Sequence, residues 1–255
     1  MLRLAAAALH LLPALATADE CKFQKPLSGS LNLAGVRTLV IQLGRHDLHL
    51  NGVAGTGGQI HGRSCASSQE RLASLQLTQR RDGDRLIIST EHDPQDWSIN
   101  LFGSNYAFLD LQLDVPQGLA VDLSVGSGDA DVTGIERLDS EVGSGDLHAH
   151  GIRGSFAASV GSGDIVAEDI GEIHVGSIGS GDFTARNVRR DVEIGSIGSG
   201  DAGLRNVDGN VIVGSIGSGD LDIDDVAHDL RVRSIGSGDI SHHGVAGRVD
   251  VPSED

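Results

Sequence analysis

From residue 119 onward, apolar residues recur in a fixed rhythm. In one stretch they are Phe183, Ala185, Val188, Val192, Ile194 and Ile197, and two repeats later Leu221, Ile223, Val226, Leu230, Val232 and Ile235. The first two positions in each set are two apart, the spacing at which side chains on a strand return to one face. A lone aliphatic then anchors a corner, a second alternating pair marks a second strand, and a last aliphatic closes the set. No long run shows the 3.6-residue period of a helix. Between sets stands Gly-Ser-Gly-Asp, seven times, ending at Asp129, Asp146, Asp164, Asp182, Asp201, Asp220 and Asp239. A period close to 20 residues predicts supersecondary units that bury their apolar faces by stacking. The expected fold is therefore all-β: a single-domain parallel β-helix, or β-solenoid, of about 17–19-residue coils with an irregular β N-terminal cap. The crossover rule favours a right-handed coil.

The tetrapeptides are 17, 18, 18, 19, 19 and 19 residues apart. Two sites of insertion explain the variation. The corner takes three steps (Ile135 to Leu138) or four (Val188 to Val192). The final strand runs straight, as Phe156-Ala158-Val160, or carries one extra residue, as Val175-Gly176-Ser177-Ile178. An extra residue at a corner or bulge leaves the inward slots in register. In the tetrapeptide, glycine permits a sharp bend and close backbone approach. Ser and Asp are expected to hydrogen-bond nearby amides in that bend.

Three segments follow: a signal peptide at 1–18, an irregular β cap at 19–116 continuous with the solenoid, and the regular repeat solenoid at 117–255. Arg3, the apolar run Leu4 to Leu15 and the small-x-small site Ala16-Thr17-Ala18 form the signal. In the cap, Thr38 to Leu43, His46 to Leu50, Leu72 to Thr78, Arg85 to Thr90 and Phe108 to Val115 read as strands, with Leu119 to Val125 following Pro116-Gln117-Gly118. No later segment is apolar enough to span a bilayer.

Composition sharpens this picture. Only 3% of residues are aromatic and 36 are glycine, which suits a thin elongated body. The net charge of −17 argues against nucleic acid, which wants a basic footprint, and against docking on anionic lipid. Cys21 and Cys65 are the two cysteines. In an exported chain they are expected to pair, two free thiols being the alternative.

The run Leu109-Asp-Leu-Gln-Leu-Asp-Val-Pro-Gln-Gly-Leu-Ala-Val-Asp-Leu123, the Val-Gly-Ser-Gly-Asp that follows it and the signal peptide resemble the bacterial exported β-strand-repeat family of auto-transporter adhesin heads, also described as GIN-domain-like. The resemblance runs from about Val36 onward. It implies a β-helix-like fold and an envelope or extracellular location in a bacterium, and it supplies no catalytic residues.

The candidate chemistry is sparse. Stacking would align the seven aspartates about 5 Å apart. The two readings are solvent-facing turn caps and a calcium-binding ladder. Calcium-binding nonapeptide repeats place Asp every nine residues, which this period does not match. His148 and His150 share an outward face, and His242 takes an inward slot beside His243, with nothing nearby to complete a zinc set. Asp222, Asp224 and Asp225 form an acidic patch. No acid-base pair recurs as a polysaccharide lyase or hydrolase would require. The function expected is an exported bacterial envelope protein, non-catalytic and structural or adhesin-like. Its partner would be an envelope glycan or a protein, and it would act in the periplasm, at the cell surface or outside the cell. The alternatives are a glycan-active β-helix enzyme and a signalling partner of an envelope-stress system. The oligomeric state stays open.

Overall fold

The computed structural model of the chain describes residues 21–91 and 106–252; the signal peptide expected at 1–18 lies outside them. The first elements in chain order are β1 (Phe23–Leu31), β2 (Thr38–Gly44), β3 (Asp47–Val53), β4 (Gly58–Ala66), α1 (Gln69–Ser74), β5 (Gln76–Asp82), β6 (Arg85–Glu91) and β7 (Ala107–Pro116). Two alternating series follow. One comprises β8 (Ala120–Val125), β10 (Arg137–Val142), β12 (Ser155–Val160), β14 (Glu172–Ile178), β16 (Val192–Ile197), β18 (Val211–Ile216), β20 (Leu230–Ile235) and β22 (Val249–Asp250). The other comprises β9 (Ala130–Thr133), β11 (Leu147–His150), β13 (Ile165–Ile170), β15 (Phe183–Val188), β17 (Ala202–Val207), β19 (Leu221–Val226) and β21 (Ile240–Val245).

Each series stacks into one face of a β-solenoid. Face A is an 11-stranded sheet in the order β1-β4-β7-β3-β9-β11-β13-β15-β17-β19-β21, and face B runs β22-β20-β18-β16-β14-β12-β10-β8-β2-β6-β5. All pairs from β8 to β22 are parallel. The register aligns like with like: Ile165, Phe183, Ala202 and Leu221 pair in succession on face A, and Val192, Val211 and Leu230 on face B. These side chains point between the sheets, and Phe183, Leu221, Val192, Val211 and Leu230 are fully buried. The register shift between Ala158 and Val160 against Val175 and Ile178 is the bulge expected from the unequal repeat lengths.

The N-terminal end is built differently. β2 and β3 make one coil, parallel to β8 and β9 on one side and to β6 and β7 on the other. The chain leaves that coil, builds the end of the rod and returns past it. Two antiparallel additions finish the sheets. β4 and then β1 extend face A beyond β7, and β5 folds back on β6 around Gly83, whose φ of 62° suits the tight turn. Antiparallel, polar edge strands with Pro26 in β1 discourage further pairing. The strand expected over Leu72 to Thr78 is corrected here: its first residues belong to the short helix α1, capped by Ser68, whose Oγ accepts the Arg71 N–H at 3.3 Å. The expected strand at His46 to Leu50 begins instead at Asp47. Cys21 and Cys65 form a disulfide that ties the start of β1 to β4.

Candidate functional site

The repeated aspartates lie along one edge. Their carboxylates do not cap the bends that carry them, as the sequence suggests. Each from Asp129 to Asp220 accepts the backbone N–H of the aspartate one coil further on. Asp129 Oδ1 accepts from Asp146 at 3.1 Å, Asp164 from Asp182 at 2.9 Å, Asp182 from Asp201 at 3.0 Å and Asp220 from Asp239 at 2.9 Å. Charge-assisted bonds of this kind contribute about 1.5–3 kcal/mol each where solvent does not compete. Carboxylates one β spacing apart repel by about 0.9 kcal/mol in bulk water. The hydrogen bonds offset the repulsion between the exposed carboxylates, and the column forms a continuous structural ladder along this edge. Among the described residues, no group of three or more His, Cys, Asp or Glu side chains is placed to hold a metal ion.

The ladder starts below the first tetrapeptide. Asp129 N–H donates to Asp47 Oδ1 at 3.2 Å, and Ser127 N–H to the Gly44 carbonyl at 2.8 Å. Gly44-Arg45-His46-Asp47 is thus an eighth level in which only the Gly and Asp are recognisable. His46 stands where the second glycine would be. It is buried, and its Nδ1 accepts the Leu109 N–H from β7 at 3.1 Å. That second glycine is fixed by its neighbour below: a Cβ on Gly181 would overlap the Gly163 carbonyl oxygen.

A second column turns the corner after face A. Gly134, Gly151, Asp169, Asn187, Asn206, Asp225 and Gly244 all have φ between 55° and 73°. Only Gly, Asn and Asp occur there because they tolerate the left-handed region. The side chains also stack: Asn187 Nδ2 donates to Asp169 Oδ1, and Asn206 Nδ2 to Asn187 Oδ1, each at 3.1 Å. A third ladder joins Asp191, Asn210, Asp229 and Arg248 at the far end of the same turn, just before face B. The last two columns were hidden in the sequence, though the residue types at these offsets were the signal for them.

Outward side chains give each face its chemistry. On face A, His49 Nδ1 and His148 Nδ1 flank the Asp131 carboxylate at 2.8 and 3.4 Å, and His150 lies 3.7 Å from Asp169. His148 and His150 point outward as expected, more than half exposed. His242 sits in register with the buried Ile223, yet it is exposed, since among the described residues no strand pairs beyond β21 to cover its slot. Asp224 pairs with Arg205 at 3.3 Å, and Asp225 belongs to the left-handed column, so the acidic patch divides between two structural tasks. On face B, Gly176, Gly195 and Gly214 lie side by side, next to the aligned Ser177, Ser196, Ser215 and Ser234. The result is a flat floor edged by hydroxyls.

Two shallow depressions mark face B nearer the N-terminus, one of about 250 Å³ lined by Asp122, Asp139 and Glu141, the other of about 360 Å³ beside Ser159 and Ser177. Burial, and then the neighbouring Asp122 charge, push the Asp139 carboxyl above its ordinary value. Asp122 itself accepts from Arg85 at 2.8 Å.

No family model and no curated protein sequence matches the chain. Among solved structures, it is similar to a provisionally named adhesin from Parabacteroides merdae (10% identity, TM-score 0.48, 91% of this chain and 97% of that one). It is also similar to a provisionally named adhesin from Parabacteroides distasonis (15%, TM-score 0.45, 89% and 97%). A third likeness is to a provisionally named lipid-binding protein of the same species (14%, TM-score 0.44, 88% and 96%).

Proposed function

We propose that this chain is an exported bacterial envelope protein that serves as a non-catalytic, adhesin-like scaffold for an extended partner, with an envelope glycan the partner best suited to face B. The observation that supports this reading is the Gly176, Gly195 and Gly214 floor beside its row of aligned serines. A flat backbone surface accepts the apolar face of a sugar ring, while hydroxyls on adjacent coils offer hydrogen bonds at a constant spacing. The depressions on this face are shallow, which suits a polymer lying across coils better than a substrate enclosed for reaction. The Cys21–Cys65 disulfide fits an oxidising compartment, in keeping with the signal peptide read at 1–18.

The test is retention of residues 19–255 on a glycan array and on purified envelope polysaccharides, with a parallel assay for new chain ends. The expected outcome is saturable binding without release of reducing or unsaturated ends, weakened at least tenfold by Ser196→Glu combined with Ser215→Glu. Release of such ends would make the protein a glycan-active enzyme, and no retention on any polymer would remove the glycan as partner.

A further inference from the structure

Along the regular coils the two sheets close tightly on aliphatic side chains. At the N-terminal end they part. Face A ends on β4 and β1, face B on β5, and α1 crosses the gap. Leu27, Leu72, Leu75 and Leu77 remain only half-buried there, around a cavity of about 720 Å³ floored by the buried Ile60. That volume lies within the range of sites for small ligands. Four leucines left part-open around this cavity mark a space suited to an alkyl chain.

The charge around this space is unlike the rest of the protein. The chain carries a net charge of −17, yet among the described residues no Asp or Glu lines the cavity, and the one charged lining residue is Lys25. Lys25 lies on β1 two residues from Leu27, so the two share the strand face that turns toward the cavity. Its ammonium forms no ion pair or side-chain hydrogen bond among the described residues. A cation with no ion-pair partner among the described residues, above a leucine-lined hollow, matches a molecule with a long apolar tail and one anionic end. We infer that the N-terminal end of the solenoid binds a long-chain carboxylate. The tail lies against Leu27, Leu72, Leu75 and Leu77, and the carboxylate meets Lys25 at the mouth. The wall that carries Lys25 is an edge strand with one neighbour, β4, and the Cys21–Cys65 disulfide pins that wall in place. None of this draws on the flat faces, so it stands or falls apart from the glycan reading.

The experiment is calorimetric titration of residues 19–255, disulfide intact, with dodecanoate below its micelle concentration. Octanoate, dodecyltrimethylammonium and a lysophosphatidylglycerol serve as comparison arms. Dodecanoate is expected to bind at one site with micromolar affinity, and octanoate and the cationic amphiphile at least tenfold more weakly. Equal or tighter binding of the lysolipid would assign the anionic tail to a membrane lipid; weaker binding would assign it to a free fatty acid. Lys25→Glu, at an exposed position, is expected to weaken dodecanoate at least tenfold with an unchanged melting temperature, and Leu75→Trp to block it by filling the space. Absence of saturable binding, or affinity indifferent to head-group charge and to Lys25→Glu, would overturn the inference. So would dimerisation abolished by Leu75→Trp without any uptake of dodecanoate.

Discussion

The regular coils and the N-terminal end use the same two sheets but solve opposite problems. Within the coils every backbone edge has a neighbour of the same shape, so one set of residues serves at each level and small departures are punished. At the N-terminal end the sheets finish on β1 and β5, with no further coil among the described residues. Antiparallel strands, a short helix and a disulfide replace repetition, and leucines stay part-open where the coils would bury them. Regularity therefore concentrates stability in the stack and leaves room for a ligand at its end.

Substitutions matched between the two regions sharpen this contrast. Phe183→Ala, in a fully buried slot, is expected to cost about 3–5 kcal/mol, whereas Leu77→Ala at the half-buried end should cost about 1 kcal/mol; denaturant unfolding of each variant measures both. Gly181→Ala is next. Its Cβ meets the carbonyl of the coil below, and relieving that overlap means separating coils, at a cost of about 3 kcal/mol. Gly29 in β1 has open space at the same position, so Gly29→Ala should leave the melting temperature within a degree or two. Equal losses at Gly181 and Gly29 would mean that the coils are not packed backbone on backbone.

A smaller effect separates the hydrogen-bonding role of the aspartate column from its charge. Asp182→Ala removes the acceptor for the Asp201 N–H and should destabilise by about 1 kcal/mol. Asp182→Asn keeps an acceptor oxygen and relieves repulsion along the column, so it should be neutral or slightly stabilising at low salt. Asn210 already does this work in the corner ladder, where its Oδ1 accepts the Asp229 N–H. A calcium-dependent rise in melting temperature lost in Asp182→Asn combined with Asp201→Asn would instead give the column to a cation.

The smallest effect is at Asp139. Its carboxyl titrates above the ordinary 3.8, so the folded state holds this proton more tightly than the unfolded chain does. The stability this contributes is full below pH 3.8 and is lost as pH rises through the folded value. Asp139→Asn should therefore melt slightly higher than the parent at pH 7, with the difference vanishing near pH 3. A difference that grew on acidification would reverse the sign.

Much of the stack was legible because each inward slot repeats. Phe183, Ala202 and Leu221 differ in size, yet their distance from the tetrapeptide does not change. The bulge at Gly176-Ser177 was legible for the same reason. The eighth level was not, because Arg45 and His46 replace two of the four signature residues and a long insertion separates Asp47 from Asp129. The helix at Gln69–Ser74 was misread because Leu72 and Leu75 are too few to distinguish a single turn from a strand. The cavity at the rod's end was invisible, since Leu27, Leu72 and Leu77 come from three segments that meet only after the end folds. The aspartates were found, but their bonding was misjudged: the acceptor's partner lies a whole coil away, beyond the reach of local turn chemistry.

Pairs of spin labels on the exposed tetrapeptide serines test most directly whether each bend lies over the last. Labels at Ser127 and Ser199 span four coils, and labels at Ser127 and Ser237 span six. Pulsed dipolar spectroscopy should give separations near 19 and 29 Å, a constant step of about 4.8 Å per coil. Separations that fail to grow in proportion to the number of coils would contradict the stacked solenoid and everything argued from its columns.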